Sequence, residues 1–100
     1  MFDYDEAFSR NLGWLTPQEQ QRLRGARVAV AGMGGVGGVH VQGLARLGVG
    51  ALNLTDFDSF ELANFNRQAG AATSTIGRPK VEVMREFALD VNPETDVRIF

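Results

Sequence analysis

Residues 27–38 read Arg-Val-Ala-Val-Ala-Gly-Met-Gly-Gly-Val-Gly-Gly, and residues 51–58 read Ala-Leu-Asn-Leu-Thr-Asp-Phe-Asp. Val28–Ala31 is a short apolar run without polar alternation, the pattern of a parallel strand covered on both faces. The glycines that follow, Gly32, Gly34, Gly35, Gly37 and Gly38, remove side chains that would hold the backbone away from a phosphate. They also allow a tight turn into a helix N-terminus, where free N–H groups favour an anion. The segment Val39–Leu47 then reads as a helix with Val36, Val39, Gly43, Leu44 and Leu47 on or near one face. Ala51–Thr55 is a second apolar strand, and Asp56 ends it. Strand, glycine loop, helix, strand and acid form the βαβ pattern of a nucleotide-binding fold. A turn that only packs helix against strand needs fewer glycines.

Working outward, residues 1–24 read as an N-terminal helical arm. Phe2, Tyr4, Phe8, Leu12, Trp14 and Leu15 carry aromatic and aliphatic surface that so short a segment cannot bury alone. The arm therefore packs on the nucleotide domain or on a second copy, with Trp14 as a packing residue. Thr16-Pro17-Gln18-Glu19 has the form of a capped helix start, with Thr16 as N-cap, Pro17 in the first position and Glu19 closing a capping box. That helix runs to about Leu23 and stops at Gly25.

Downstream of β-type segment 51–55 lies Asp56-Phe57-Asp58-Ser59-Phe60-Glu61-Leu62-Ala63-Asn64-Phe65-Asn66-Arg67-Gln68. Its apolar residues are expected to anchor the loop and so aim the polar ones. Ala69–Gly77 is small and polar, as in a mobile crossing. Arg78-Pro79-Lys80 opens a second helix, whose Val81, Met84, Phe87, Ala88 and Val91 form one apolar stripe. Asn92-Pro93 ends it, and Asp96–Phe100 begins a third strand. The expected architecture is α/β, a Rossmann-like doubly wound, mostly parallel sheet. Residues 25–100 would supply its first half, three strands and two helices, with at least one edge left bare.

Composition narrows the function. The chain has 100 residues, 44% of them hydrophobic, a formal net charge of −2 and no cysteine. This is one ordinary globular domain at most, without a broad basic footprint for nucleic acid and without a thiol nucleophile or Cys-based zinc site. The acidic start is unlike a signal peptide, and no apolar run reaches membrane-spanning length. A cytoplasmic protein is the default reading.

Asp56 suits a ribose in any dinucleotide-type domain, but a nicotinamide or flavin domain does not need Asn64, Arg67 and Lys80. An enzyme that activates a carboxylate with ATP does. Attack on the α-phosphate places negative charge on phosphate oxygens, and cations already in position stabilise it. Arg67 offers a planar fork of donors and Lys80 a movable point charge at a helix mouth. Asn64 and Asn66 can orient phosphate or ribose without adding charge. Blander readings stand beside these. Asp58 either caps the loop or joins the site, Glu61 is surface, His40 is a partly buried packing residue, and Arg78 flanks the helix start.

Together, Gly-Met-Gly-Gly-Val-Gly, Asp56-Phe57-Asp58, Asn64-Phe65-Asn66-Arg67-Gln68, Gly77-Arg78-Pro79-Lys80 and Asn92-Pro93 resemble the ThiF/MoeB/HesA superfamily of adenylyltransferases, from about Phe8 onward. The resemblance implies MgATP on the glycine loop (Gly32, Gly34, Gly35 and Gly37) and adenylation of a carboxylate, commonly the C-terminal glycine of a ubiquitin-like or sulfur-carrier protein. It implies Gly35 at a phosphate, Asp56 at the ribose, Asp58 close by, and Asn64, Asn66, Arg67 and Lys80 around the triphosphate. Arg10, in Ser9-Arg10-Asn11, is similar to an arginine that reaches the partner subunit's ATP in homodimeric members. The catalytic set so implied is Arg67, Lys80 and Arg10. The family's magnesium-binding aspartate would lie beyond Phe100, so no metal ligand is assigned within residues 1–100, and this stretch alone is expected to be inactive. The motifs also resemble the branch that cyclises a threonylcarbamoyl group on tRNA. An NAD- or FAD-binding oxidoreductase module and a non-catalytic interaction domain complete the alternatives.

Overall fold

The computed structural model describes residues 1–34 and 36–100, the side chain of Val36 excepted. In chain order it contains α1 (Tyr4–Ala7), α2 (Pro17–Arg24), β1 (Arg27–Ala31), α3 (Val36–Leu47), β2 (Ala51–Thr55), α4 (Lys80–Val91) and β3 (Asp96–Ile99). The strands form one parallel sheet in the order β1-β2-β3. Among the described residues no further strand pairs with the outer edges of β1 or β3.

Register determines which residues meet. Val28 stands beside Leu52 and Val97, and Val30 beside Leu54 and Ile99. With a side-chain period of two, this row faces one way, and α3 and α4 pack side by side against it through Val41, Ala45, Val81, Met84 and Ala88. The reverse face carries Ala29, Ala31, Asn53 and Thr55, joined at its lower end by an Arg27–Asn53 hydrogen bond of 2.8 Å and ion pairs of Arg27 and Arg98 with Asp96. The expectation of cover on both faces is therefore corrected: within these residues the helices cover one. The run Val28–Ala31 looks uniformly apolar because alanine is short enough for either face.

A second correction concerns α3. It begins at Val36, and its buried side is Val41 and Ala45, while Val39 is 53% exposed and Leu47 43%. A Cβ on Gly43 would meet nothing within 4 Å. The close approach of helix to sheet selects the face with the smaller side chains, which brings Val41 and Ala45 inward. The α4 stripe holds as expected, with Val83 buried in addition.

The arm is more structured than its sequence indicates. Thr16 and Glu19 form the capping box, and Gly25 caps the C-terminus of α2. Three arm side chains close over the last turn of α3, where carbonyls lack intrahelical partners. The Tyr4 hydroxyl donates to the Gly48 carbonyl, Gln20 Nε2 donates to the Leu47 carbonyl at 2.8 Å, and Asn11 Nδ2 to the same carbonyl at 3.3 Å. Tyr4 and Phe8 are buried with their ring centroids 4.7 Å apart. Trp14, expected to pack, is instead 90% exposed on the turn after Gly13. No described helix is long and apolar enough to cross a membrane.

Candidate functional site

The C-terminal ends of parallel strands, where successive connections leave the sheet, form the usual crevice for ligands in such folds. Here three segments meet there: the glycine loop after β1, residues 56–68 after β2, and the start of α4. At Gly32 the chain turns through φ +86°, a conformation glycine adopts without strain. A Cβ on Gly37 would lie 1.6 Å from the Gly32 carbonyl oxygen, so the first turn of α3 rests directly on the loop backbone. Gly37 N–H donates to the Gly34 carbonyl at 2.9 Å. Gly35, implied as a phosphate contact, lies outside the described residues.

Asp56 binds the loop to β2. Its Oδ2 accepts from the Met33 N–H at 2.6 Å and its Oδ1 from the Asp58 N–H at 2.8 Å. Partial burial works against the carboxylate's charge. The Met33 and Asp58 N–H groups, the nearby positive charge of Lys80 and the Phe57 N–H together outweigh it, holding the group below the usual aspartate range. Each oxygen keeps lone-pair capacity for a further donor, which is what two ribose hydroxyls would use.

Beyond Asp56, residues 58–60 are zipped to residues 77–80. Lys80 N–H donates to the Asp58 carbonyl at 2.9 Å, Phe60 N–H to the Arg78 carbonyl at 3.0 Å, and Gly77 N–H to the Phe60 carbonyl at 2.9 Å. This clasp brings Asp58, Ser59, Glu61, Asn64 and Lys80 around a cleft of about 210 Å³. Asn64 is fixed by its Oδ1, which accepts from the Glu61 N–H at 2.8 Å. Lys80 is the chain's single lysine against nine arginines, and it is only 6% exposed at the first position of α4. Among the described residues no carboxylate stands within ion-pair distance of its ammonium.

Arg67 is exposed, its Nη1 donating to the Ala63 carbonyl at 3.0 Å and to Asn66 Oδ1 at 3.2 Å. No described carboxylate pairs with it either, so its fork remains open on one side. Arg78, by contrast, is consumed by a bidentate pair with Glu86 at 2.6 and 2.8 Å. Arg10 lies elsewhere. It belongs to the turn Ser9–Asn11 beside the C-terminal end of α3, and a twelve-residue helix separates the two ends by roughly 18 Å. The structure thus brings Gly32, Gly34, Gly37 and Asp56 together at the glycine loop and Asp58, Asn64 and Lys80 around the adjoining cleft, with Asn66 and Arg67 on the exposed turn that follows Asn64, and leaves Arg10 apart.

Three expectations about this region change. Phe60 alone anchors the loop, fully buried, whereas Phe57 is 99% exposed and Leu62 and Phe65 also face outward. His40 is exposed rather than packed. The 69–77 crossing contains a hydrogen-bonded turn, with Thr75 Oγ1 donating to the Gly70 carbonyl at 2.7 Å and accepting from the Ala72 N–H at 2.8 Å. One residue escaped the site prediction. Gln68 is buried with its carboxamide 3.0 Å from where a Gly34 Cβ would sit, and its Oε1 has no hydrogen-bond partner. The available signal was a polar residue directly after Arg67, a poor place for an amide unless something receives it.

Residues 8–100 match the model of the ThiF family. The chain belongs to the ThiF family. It is 43% identical over 90 residues to the tRNA threonylcarbamoyladenosine dehydratase of Bacillus subtilis, a match spanning 90% of this chain and 35% of that protein. It is 43% identical over 74 residues to the molybdopterin-synthase adenylyltransferase of Escherichia coli, spanning 74% of this chain and 30% of the relative. Among solved structures, the E. coli tRNA N6-threonylcarbamoyladenosine dehydratase in complex with ATP superimposes with a TM-score of 0.94 at 34% identity, over 96% of this chain and 40% of that one. The chain spans about a third of the length of the curated ThiF-family relatives it matches. The α/β Rossmann-like reading and the family resemblance both hold.

Proposed function

We propose that this ThiF-family chain contributes the ATP-binding half of an adenylyltransferase that activates a carboxylate. The observation that carries the reading is the pair of cations, Lys80 at the cleft and Arg67 on the exposed turn just after Asn64, that the described carboxylates leave without ion pairs. A lysine whose stem is buried and whose ammonium lines the cleft, with no carboxylate within ion-pair distance, is placed to receive an anionic ligand. In this reading residues 25–100 are the first half of the ATP-binding domain and residues 1–24 an arm.

The glycine loop is the phosphate cradle: a Cβ at Gly37 or Gly34 would occupy the space the loop or Gln68 needs. Asp56 receives the ribose hydroxyls, Asp58 borders that contact, and Asn64 and Asn66 orient phosphate oxygens. A substrate carboxylate oxygen attacks the α-phosphorus, the bond from that phosphorus to the bridging oxygen of the β-phosphate breaks, and pyrophosphate leaves with the electron pair. Arg67 and Lys80 receive the charge that grows on the phosphate oxygens. Among the described residues no three His, Cys, Asp or Glu side chains cluster to hold a metal; magnesium bound to the triphosphate itself would offset part of its charge. Arg10 acts across a homodimer, on the partner's nucleotide, since its own crevice is a helix length away.

The carboxylate is the C-terminal glycine of a ubiquitin-like or sulfur-carrier protein. The 0.94 TM-score match to the E. coli dehydratase favours a second reading, in which the activated carboxylate belongs to a threonylcarbamoyl group on tRNA. The test is titration of the full-length protein with ATP plus magnesium and separately with NAD, followed by pyrophosphate exchange with each substrate. ATP is expected to bind more tightly, and Arg67→Ala and Lys80→Ala each to slow exchange by about 10²–10³ with unchanged circular dichroism. Tighter NAD binding would end the adenylation reading. Restored exchange on mixing Arg10→Ala with Lys80→Ala subunits would establish that Arg10 acts in trans.

A further inference from the structure

Phe60 is the one aromatic residue of the 56–68 loop that is driven fully into the core. The clasp between residues 58–60 and 77–80 places its ring beneath the Lys80 ammonium, with Nζ 5.6 Å from the ring centroid. That lies within the range over which the negative face of an aromatic ring attracts a cation. The arrangement is unusual for three reasons. Lys80 occupies the first turn of α4, where the helix dipole disfavours positive charge. It is nearly buried. Among the described residues it has no ion-pair partner. Asp56 is near enough for the lysine's charge to act on its carboxylate but forms no ion pair with it.

The ring is itself held from the far side. A Cβ on Gly70 would lie 2.5 Å from Phe60 Cζ, 2.8 Å from Met84 Sδ and 2.9 Å from Phe60 Cε2. The crossing backbone therefore presses on the outer edge of the ring, and only a glycine permits it. A tyrosine hydroxyl at Cζ would drive into the same backbone. The position accepts a ring of this size, edge-locked, with one face toward the ammonium.

We propose that Phe60 is the positioning residue for Lys80: its ring face holds the ammonium at the cleft in the empty protein, so the charge is in place before a triphosphate arrives. This deepens the adenylation reading and rests on it for the identity of the anion. Preorganisation of the cation matters because a donor that must first be ordered loses part of its effect on the transition state.

The test uses the full-length protein with Phe60 replaced by 2-fluoro- and then 2,6-difluorophenylalanine. These substitutions weaken the ring's negative face while keeping its shape and avoiding the Gly70 contacts at Cζ and Cε2. Pyrophosphate exchange is expected to fall stepwise, by roughly fivefold in total, with the circular dichroism spectrum of the folded protein unchanged. A rate that stays flat across the series would overturn the proposal. The second readout needs no activity. The ε-methylene protons of Lys80, assigned with Lys80→Arg, should lie upfield from the ring current and move downfield in Phe60→Leu. Identical shifts in the two proteins would also overturn it. Absence of exchange in every form, with the ring-current shift intact, would remove the adenylation reading and leave the Phe60–Lys80 contact standing.

Discussion

The Asp56 carboxylate accepts a 2.6 Å hydrogen bond from the backbone N–H of Met33, across 23 residues of sequence. A residue that the motif assigns to a nucleotide's ribose thus also holds the glycine loop against the end of β2. Asp56→Asn replaces one acceptor oxygen with an NH₂ that must face a backbone N–H. A loss of about 1–3 kcal/mol is expected, read by urea denaturation. The pH dependence follows from the sign of the shift. A carboxyl group held below its unfolded value stabilises the fold fully above that value, about 4, and the contribution disappears as pH falls through the folded value. The stability gap between wild type and Asp56→Asn should be constant from pH 5 to 8, on that logic, and narrow below about pH 4. A gap that widened in acid would show that the group is not held ionised.

Two glycines near the loop should respond in opposite directions. Gly37→Ala sets a Cβ 1.6 Å from a backbone oxygen, which only a shift of the main chain can relieve. It should cost roughly 3 kcal/mol or more, the size reserved for core and backbone disruption, and abolish ATP binding. Gly43→Ala meets nothing within 4 Å in the middle of α3 and should stabilise by about 0.5–1 kcal/mol. Thermal melts of the two variants decide this; equal losses would mean that α3 packs differently.

Gly34 and Gln68 should be energetically coupled. Gly34→Ala pushes a methyl group to 3.0 Å from the Gln68 carboxamide, and Gln68→Ala removes that obstacle. The double variant should therefore bind ATP better than Gly34→Ala alone, with a coupling of about 0.5–3 kcal/mol. Additive losses in isothermal titration would separate the two residues.

The arm's hold on α3 is also measurable. Tyr4→Phe deprives the Gly48 carbonyl of its donor and Gln20 Nε2 of its 3.0 Å acceptor. A loss of about 1–2 kcal/mol is expected. Protease cleavage within residues 1–24 should quicken while the melt of the sheet moves less. An unchanged cleavage rate would mean that Phe8 packing alone retains the arm.

The sequence by itself determined the elements whose signals are local. Strand β1, the glycine turn, β2 and Asp56 follow from a short apolar run, φ freedom and chain polarity. The Thr16–Glu19 capping box and the stop at Asn92 depend on groups three or four residues apart, so neighbouring letters suffice to predict them. The candidate site was legible to the same extent, because Asn64, Arg67 and Lys80 are chemically odd in a loop and a helix start. What only the tertiary structure decided depends on contacts between distant segments. Val41 and Ala45 rather than Val39 and Leu47 face the sheet, because close helix–sheet approach selects the face and apolar periodicity alone does not. Gln68 meets Gly34 only where the loop returns to the glycine turn, and Phe60 lies under Lys80 because the 58–60 and 77–80 segments are clasped by backbone hydrogen bonds that no side-chain pattern announces. Trp14 and Phe57, as apolar as any core residue, stand in solvent, since burial depends on what the rest of the chain brings against a residue and not on its own hydrophobicity.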